Sequence, residues 1–177
     1  WARIPPGGGG VAMGAPGDGF RTTGQIFIQE SGFYYSWQPT GLDPIGRVRF
    51  SSRDLVLPTD EWIHLAIAID FRAESCALYV NGQAVPGELS RPVSQWLPVG
   101  CCLQEPDALG GAYLEGVFSS FEGDLDEVLL FHRMLSGSEI RSIYDLAERN
   151  CRLCTFQPEG LVAWWRGERS GLDETGV

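Results

Sequence analysis

Asn81-Gly82 sits between two short runs of strand-forming residues, 76–80 and 83–85. Both central residues of a tight hairpin turn need positive φ, which Asn and Gly tolerate, so this dipeptide predicts a β-hairpin at a fixed register. The segment before it, 61–71, alternates strictly. Ile63, Leu65, Ile67 and Ile69 fall on one face, and Trp62, His64, Ala66 and Ala68 on the other. A strand that is apolar on both faces has to be covered on both sides. The hairpin therefore belongs to a layered β structure in which this strand lies centrally.

The rest of the chain is punctuated in the same way. Its 177 residues include 23 Gly and 11 Pro, and most apolar runs between them are short, the pattern of an all-β domain. Further strands are expected at 1–4, 25–30, 33–38, 47–51, 94–99, 114–118 and 123–133. Within 33–38, Phe33, Tyr35 and Trp37 share one face, and Tyr34 and Ser36 share the other. Residues 5–19, with the run Gly7 to Gly10, read as a surface loop. One helix is expected. Ser136-Gly-Ser-Glu139 is a capping box, and Ile140, Ile143, Tyr144 and Ala147 follow at helical spacing, to about Arg149. Residues 155–160 read as a linker and 161–165 as a new strand, followed by a polar tail.

Charge and composition exclude several functions. A net charge of −10 repels phosphate backbones, so nucleic acid is not an expected partner. All 13 basic residues are Arg; without a Lys there is no P-loop. No apolar run approaches the about 18–20 residues of a membrane helix, so no membrane insertion is expected. Cys76, Cys101, Cys102, Cys151 and Cys154 are an odd set that cannot pair fully within the chain. Cys151 and Cys154 have the spacing of a redox motif or half a zinc site, but neither a βαβ setting nor a second ligand pair accompanies them.

Three motifs then fall in register. Trp62-x-His64-Leu-Ala66 with Asp70 resembles the W-H-V-A strand of laminin-G-like and pentraxin-like domains. Leu78-Tyr-Val-Asn-Gly82 resembles their L-Y-V-D-G hairpin. Phe121-x-Gly123-x-Leu125-Asp126-Glu127-Val128, followed by Phe131-x-Arg133-x-Leu135-Ser136, resembles their closing signature. The resemblance covers residues 61–145 and implies a concanavalin A-like jelly-roll β-sandwich of antiparallel sheets with one short helix. Trp1-Ala-Arg is similar to a strand well inside such a domain, and Gly160-Leu-Val-Ala-Trp-Trp165 to the start of another. The resemblance thus implies a domain at 1–149 lacking its first strands, a linker at 150–159, and at 160–177 the first strand of a following repeat, able to complete the sandwich. It also implies a secreted or cell-surface bacterial protein of tandem repeats.

The family hosts lectins, adhesive modules and enzymes alike. Glu122-Gly-Asp124-Leu-Asp126-Glu127 resembles the E-x-D-x-x-E signature of its β-glucanases. Residues five apart on a strand point to opposite faces, however, while retaining chemistry needs two carboxyls about 5–5.5 Å apart. Gly123 also replaces the bulky residue that the enzymes carry. No catalytic residue is therefore assigned. The acids suit calcium better, with Asp126 at the position matching the family motif and Asp124 beside it. Tyr34 and Trp37 are the candidates for stacking on a sugar ring. The expected function is non-catalytic binding of carbohydrate; the alternative is a protein-binding or spacer repeat of an adhesin, so that the partner is a glycan or an extracellular protein, and a β-glucanase-type hydrolase is the third reading.

Overall fold

The computed structural model describes residues 1–14, 24–37, 48–52, 54–70, 75–89, 108–114, 117–148 and 158–167. The predicted strand at 94–99 and the cysteines other than Cys76 lie outside these residues.

The described residues form antiparallel sheets and one helix. In chain order these are β1 (Ala2–Arg3), β2 (Gly9–Gly14), β3 (Gly24–Gln29), β4 (Gly32–Trp37), β5 (Val48–Ser52), β6 (Leu65–Asp70), β7 (Ser75–Val80), β8 (Gln83–Val85), β9 (Gly87–Leu89), β10 (Ala108–Leu109), β11 (Gly111–Leu114), β12 (Val117–Glu122), β13 (Asp124–Leu125), β14 (Val128–Phe131), α1 (Gly137–Glu148) and β15 (Leu161–Trp165). One layer is an eight-stranded sheet ordered β11-β12-β2-β3-β4-β5-β9, with β10 paired to β2. The other layer is assembled from β6-β7-β8, β14-β15 and the short pair β1-β13.

The core lies between the layers. Ala12, Ile28, Phe33 and Phe50 of the large sheet meet Ala2, Ile63 and Leu78 of the other layer. Face alternation therefore reads correctly at β4, where Phe33 and Tyr35 are buried. The second layer is covered on its far side by α1, through Ile140 and Ile143 against Ala68, Tyr79 and Leu135. That is why β6 can be apolar on both faces: Leu65 and Ile67 join the core, and Ala66 and Ala68 lie under the helix.

The local signals are realised in detail. Asn81 and Gly82 both have positive φ, 49° and 71°. The Asn81 side chain also accepts from the His64 amide at 3.0 Å, tying the hairpin back to β6. At the start of α1 the Glu139 amide donates to Ser136 Oγ at 3.3 Å, and the Ser136 amide donates to Glu139 Oε2 at 2.8 Å.

Four expectations need correction. The segment 123–133 is not one strand but β13 (Asp124–Leu125) and β14 (Val128–Phe131), with Asp126 and Glu127 outside both. The loop expected at 5–19 is interrupted by β2 (Gly9–Gly14), which the glycine run opens with Gly9 and Gly10. Its neighbours approach so closely that an added Cβ would lie 2.4 Å from Ile28 O at Gly9 and 2.3 Å from Ser120 O at Gly10. Among the described residues of the segment 61–71 the strand covers Leu65–Asp70; the start of the segment is held to β1 by an isolated bridge between Ile63 and Ala2. The segment 114–118 straddles two strands, β11 ending at Leu114 and β12 beginning at Val117.

Candidate functional site

The bridge between Ala2 and Ile63 turns both apolar side chains into the core. Alternation then sends their neighbours Arg3 and Trp62 outward. On the other edge of β1, Arg3 stands opposite Asp124 in the register with β13. The three outward side chains meet. Arg3 Nε and Nη2 donate to Asp124 Oδ2 at 2.9 and 2.7 Å, and the Arg3 guanidinium carbon lies 5.2 Å from the centre of the Trp62 ring. Trp62 is 42% exposed, which sets it apart from the buried tryptophan expected of a structural strand. The Arg3 and Asp124 side chains are exposed as well. An aromatic face, a fork of donors and a carboxylate thus converge on one exposed patch.

Gly123 permits this arrangement. A Cβ there would lie 2.5 Å from Arg3 O and 2.9 Å from the Phe121 ring. The bulky residue that the enzyme-like motif carries at this position would push β1 away.

The residues singled out from sequence do not gather in one place. Asp124 belongs to the patch. Asp126 does not face it in the same way: its Oδ1 accepts from the Glu127 amide at 2.9 Å, and its main chain is hydrogen-bonded to Trp1. Among the described residues no group of three or more His, Cys, Asp or Glu side chains is placed to hold a metal ion. Tyr34 lies on the face of the large sheet opposite the core, stacked on Phe27 at 4.8 Å, with Arg49 4.1 Å over its ring. Trp37 pairs through its main chain with Gly24 and Val48; its side chain lies outside the described residues.

The two glutamates of the enzyme-like motif have different surroundings. Glu122 is exposed at the end of β12, opposite Gly9. Glu127 has φ 46°, lies half-buried, and accepts a hydrogen bond from the Trp164 indole of β15. Burial pushes its carboxyl above the usual range, against the pull of that hydrogen bond. His64 is buried between Trp1 and Tyr144, with ring centres at 5.4 and 5.8 Å. Its burial, helped by the nearby Trp1 amino group, lowers it to about 4, so the ring is neutral at pH 7. The Cys76 thiol is pushed up to about 12 by burial, which keeps it protonated and unreactive.

Sequence reasoning missed Trp62 and Arg3 as site residues. Trp62 read as one more apolar residue on an alternating strand. The signal that separates it is the partner of that strand's first residues: β1 covers Ile63 and leaves Trp62 outside.

Among solved structures the chain is similar to the crystal structure of an S-layer domain-containing protein (residues 221–444) from Clostridium thermocellum ATCC 27405. The two are 20% identical, with a TM-score of 0.32. The likeness covers 81% of this chain and 66% of that chain. No curated protein sequence matches it significantly. A family model does, over residues 7–141, and the chain belongs to the laminin-G-type family of the concanavalin A-like lectin/glucanases superfamily.

Proposed function

We propose that the chain is a non-catalytic binding module that recognises carbohydrate at the cell surface, and that Trp62, Arg3 and Asp124 form its contact patch. The observation behind this reading is the exposed Trp62 indole beside an Arg–carboxylate pair. A sugar ring presents C–H faces that pack on an indole, and hydroxyls that both donate and accept. Asp124 accepts, Arg3 donates, and the rigid aromatic anchors at low entropic cost. The different settings of Glu122 and Glu127, and the clash that a side chain at 123 would meet, favour binding over hydrolysis.

Calcium enters the proposal as a bridging ion and not as a fixed part of the fold. Asp124 is already engaged by Arg3, so a cation there has to displace the guanidinium or share the carboxylate with it. The test is a glycan panel probed with the protein in calcium and again in EDTA. Trp62→Ala is expected to reduce binding at least tenfold while leaving the melting temperature nearly unchanged, because the side chain is exposed. Asp124→Asn is expected to weaken binding less. Retention of full glycan affinity by Trp62→Ala would move the site elsewhere. Failure to bind any glycan, by a folded sample in either condition, would favour the spacer-repeat reading.

A further inference from the structure

Asn81 and Asn150 are the asparagines of the chain, and only Asn81 precedes a glycine. That neighbour matters chemically. The Gly82 nitrogen can attack the side-chain carbonyl carbon of Asn81 and close a five-membered ring, and a residue without a Cβ leaves its nitrogen open to that approach. Asn81 is exposed, so water and hydroxide reach it. Access therefore does not limit the reaction; conformation does.

Three features hold the dipeptide out of the reacting geometry. The first is the turn itself. Positive φ at both residues, between the paired Val80 and Gln83, makes a type I′ turn. The first central residue of that turn has ψ of about +30°, which puts the next nitrogen nearly opposite Cβ across the Cα–C bond. Ring closure needs the two on the same side. The second is the Asn81 side chain. Its Oδ1 accepts from the His64 amide at 3.0 Å, and the Asn81 amide donates to His64 O at 2.9 Å. The side chain is thus committed sideways to His64 instead of forward over Gly82. The third is α1. Gly82 is buried against it, with room for a Cβ only 2.9 Å from Arg141 Cδ and 3.0 Å from Tyr144 Cβ. Arg141 Nη1 also donates to Asn81 O at 3.5 Å. Turning the peptide between Asn81 and Gly82 therefore requires the helix to lift.

We propose that Asn81-Gly82 is a self-modification site that the docking of α1 keeps closed and that a local opening of the helix exposes. In the open state the Gly82 nitrogen gives its proton to hydroxide and bonds to Asn81 Cγ. The Cγ–Nδ2 bond breaks, and the amide nitrogen leaves as ammonia with a proton from water. Water then opens the cyclic imide, and no group is oxidised or reduced. Opening at Cγ gives aspartate, which keeps an acceptor for the His64 amide. Opening at the main-chain carbonyl gives isoaspartate, whose chain runs through Cβ and Cγ. That product adds an atom to the main chain of a two-residue turn, so Val80 and Gln83 lose their register and Gly82 its fit under Tyr144. The modification thus records each loss of helix docking irreversibly. This inference is independent of the carbohydrate reading.

The test incubates the 177-residue chain at mildly alkaline pH and follows position 81 by peptide mapping that separates asparagine, aspartate and isoaspartate. The folded chain is expected to convert Asn81 at least tenfold more slowly than the same chain in denaturant. Ile143 is buried between α1 and the second layer. Ile143→Val trims that contact without touching the hairpin, and is expected to speed the conversion severalfold in the folded state and not at all in denaturant. The Asn81 amide, bonded to His64 O, is expected to exchange faster in the same proportion. The proposal is overturned if folded and denatured chains convert Asn81 at equal rates, if Asn81 stays intact in both, or if Ile143→Val leaves the folded rate unchanged.

Discussion

Single residues decide where this fold can bend and where its strands can touch. Gly82 has φ 71°, and an added Cβ would lie 2.9 Å from Arg141 Cδ and 3.0 Å from Tyr144 Cβ. The first neighbour is a flexible side chain that can move; the second is anchored to α1 and cannot. Gly82→Ala therefore combines left-handed strain, of about 1–2 kcal/mol, with a displaced helix. Thermal denaturation is expected to show a drop of at least about 3 °C. An unchanged melting temperature would mean that α1 sits less tightly on the hairpin than the contact distances require. Asn81, with φ 49°, tolerates the turn better and adds its bond to the His64 amide.

At the scale of elements, α1 depends on its first turn. The reciprocal Ser136–Glu139 bonds satisfy two amides that a helix start otherwise leaves open. Glu139 also takes both Nη atoms of Arg133, at 3.2 and 2.6 Å. These contacts, the Arg133 guanidinium first, hold its carboxyl down at about 2. Ser136→Ala is expected to cost about 1 kcal/mol. Glu139→Gln keeps the capping hydrogen bond but loses the charge. The Glu139 contribution is complete above pH 4.5 and disappears as the pH falls through about 2, so the Gln variant and the parent are expected to converge in stability towards pH 2. A constant difference across that range, measured by denaturant titration, would assign the effect to packing instead.

Elements of this kind were legible from sequence wherever a local rule fixes them. The capping box, the Asn-Gly turn and the two-faced strand each carry their own period or cap. What local rules do not carry is partner choice. Nothing between Pro5 and Gly14 says that Gly9 and Gly10 are pressed between Ile28 O and Ser120 O, so the run read as a loop. Trp62 and Arg3 belong to segments far apart in the chain, and only the pairing of β1 with both Ile63 and β13 brings them together. Asp124 stands out in the sequence only as the neighbour of Asp126 and as a calcium candidate, not for this contact.

At the scale of the whole molecule, His64 sits where the second layer, β1 and the helix meet. Its ring packs against Trp1 and Tyr144, it is 7% exposed, and among the described residues its Nδ1 has no hydrogen-bond partner. Burial dominates its shift from 6.5 to about 4, and the Trp1 amino group adds to it. The unfolded chain takes up the proton near pH 6.5, while the folded chain resists it until about 4. Folding is therefore favoured fully above pH 6.5, and stability falls as the pH drops from 6.5 to 4, by about 3 kcal/mol in total. Glu127 acts in the opposite direction. Its raised carboxyl favours folding below its ordinary range and withdraws that support as it ionises, which offsets part of the slope at the low end. His64→Phe keeps an aromatic ring between Trp1 and Tyr144, removes the unpartnered nitrogen, and abolishes the titration. The variant is expected to be at least as stable as the parent at about pH 5 and to lose most of the slope of unfolding free energy between pH 6.5 and 4. A slope that survives the substitution would show that protonation elsewhere, and not at this junction, governs the acid limit of the fold.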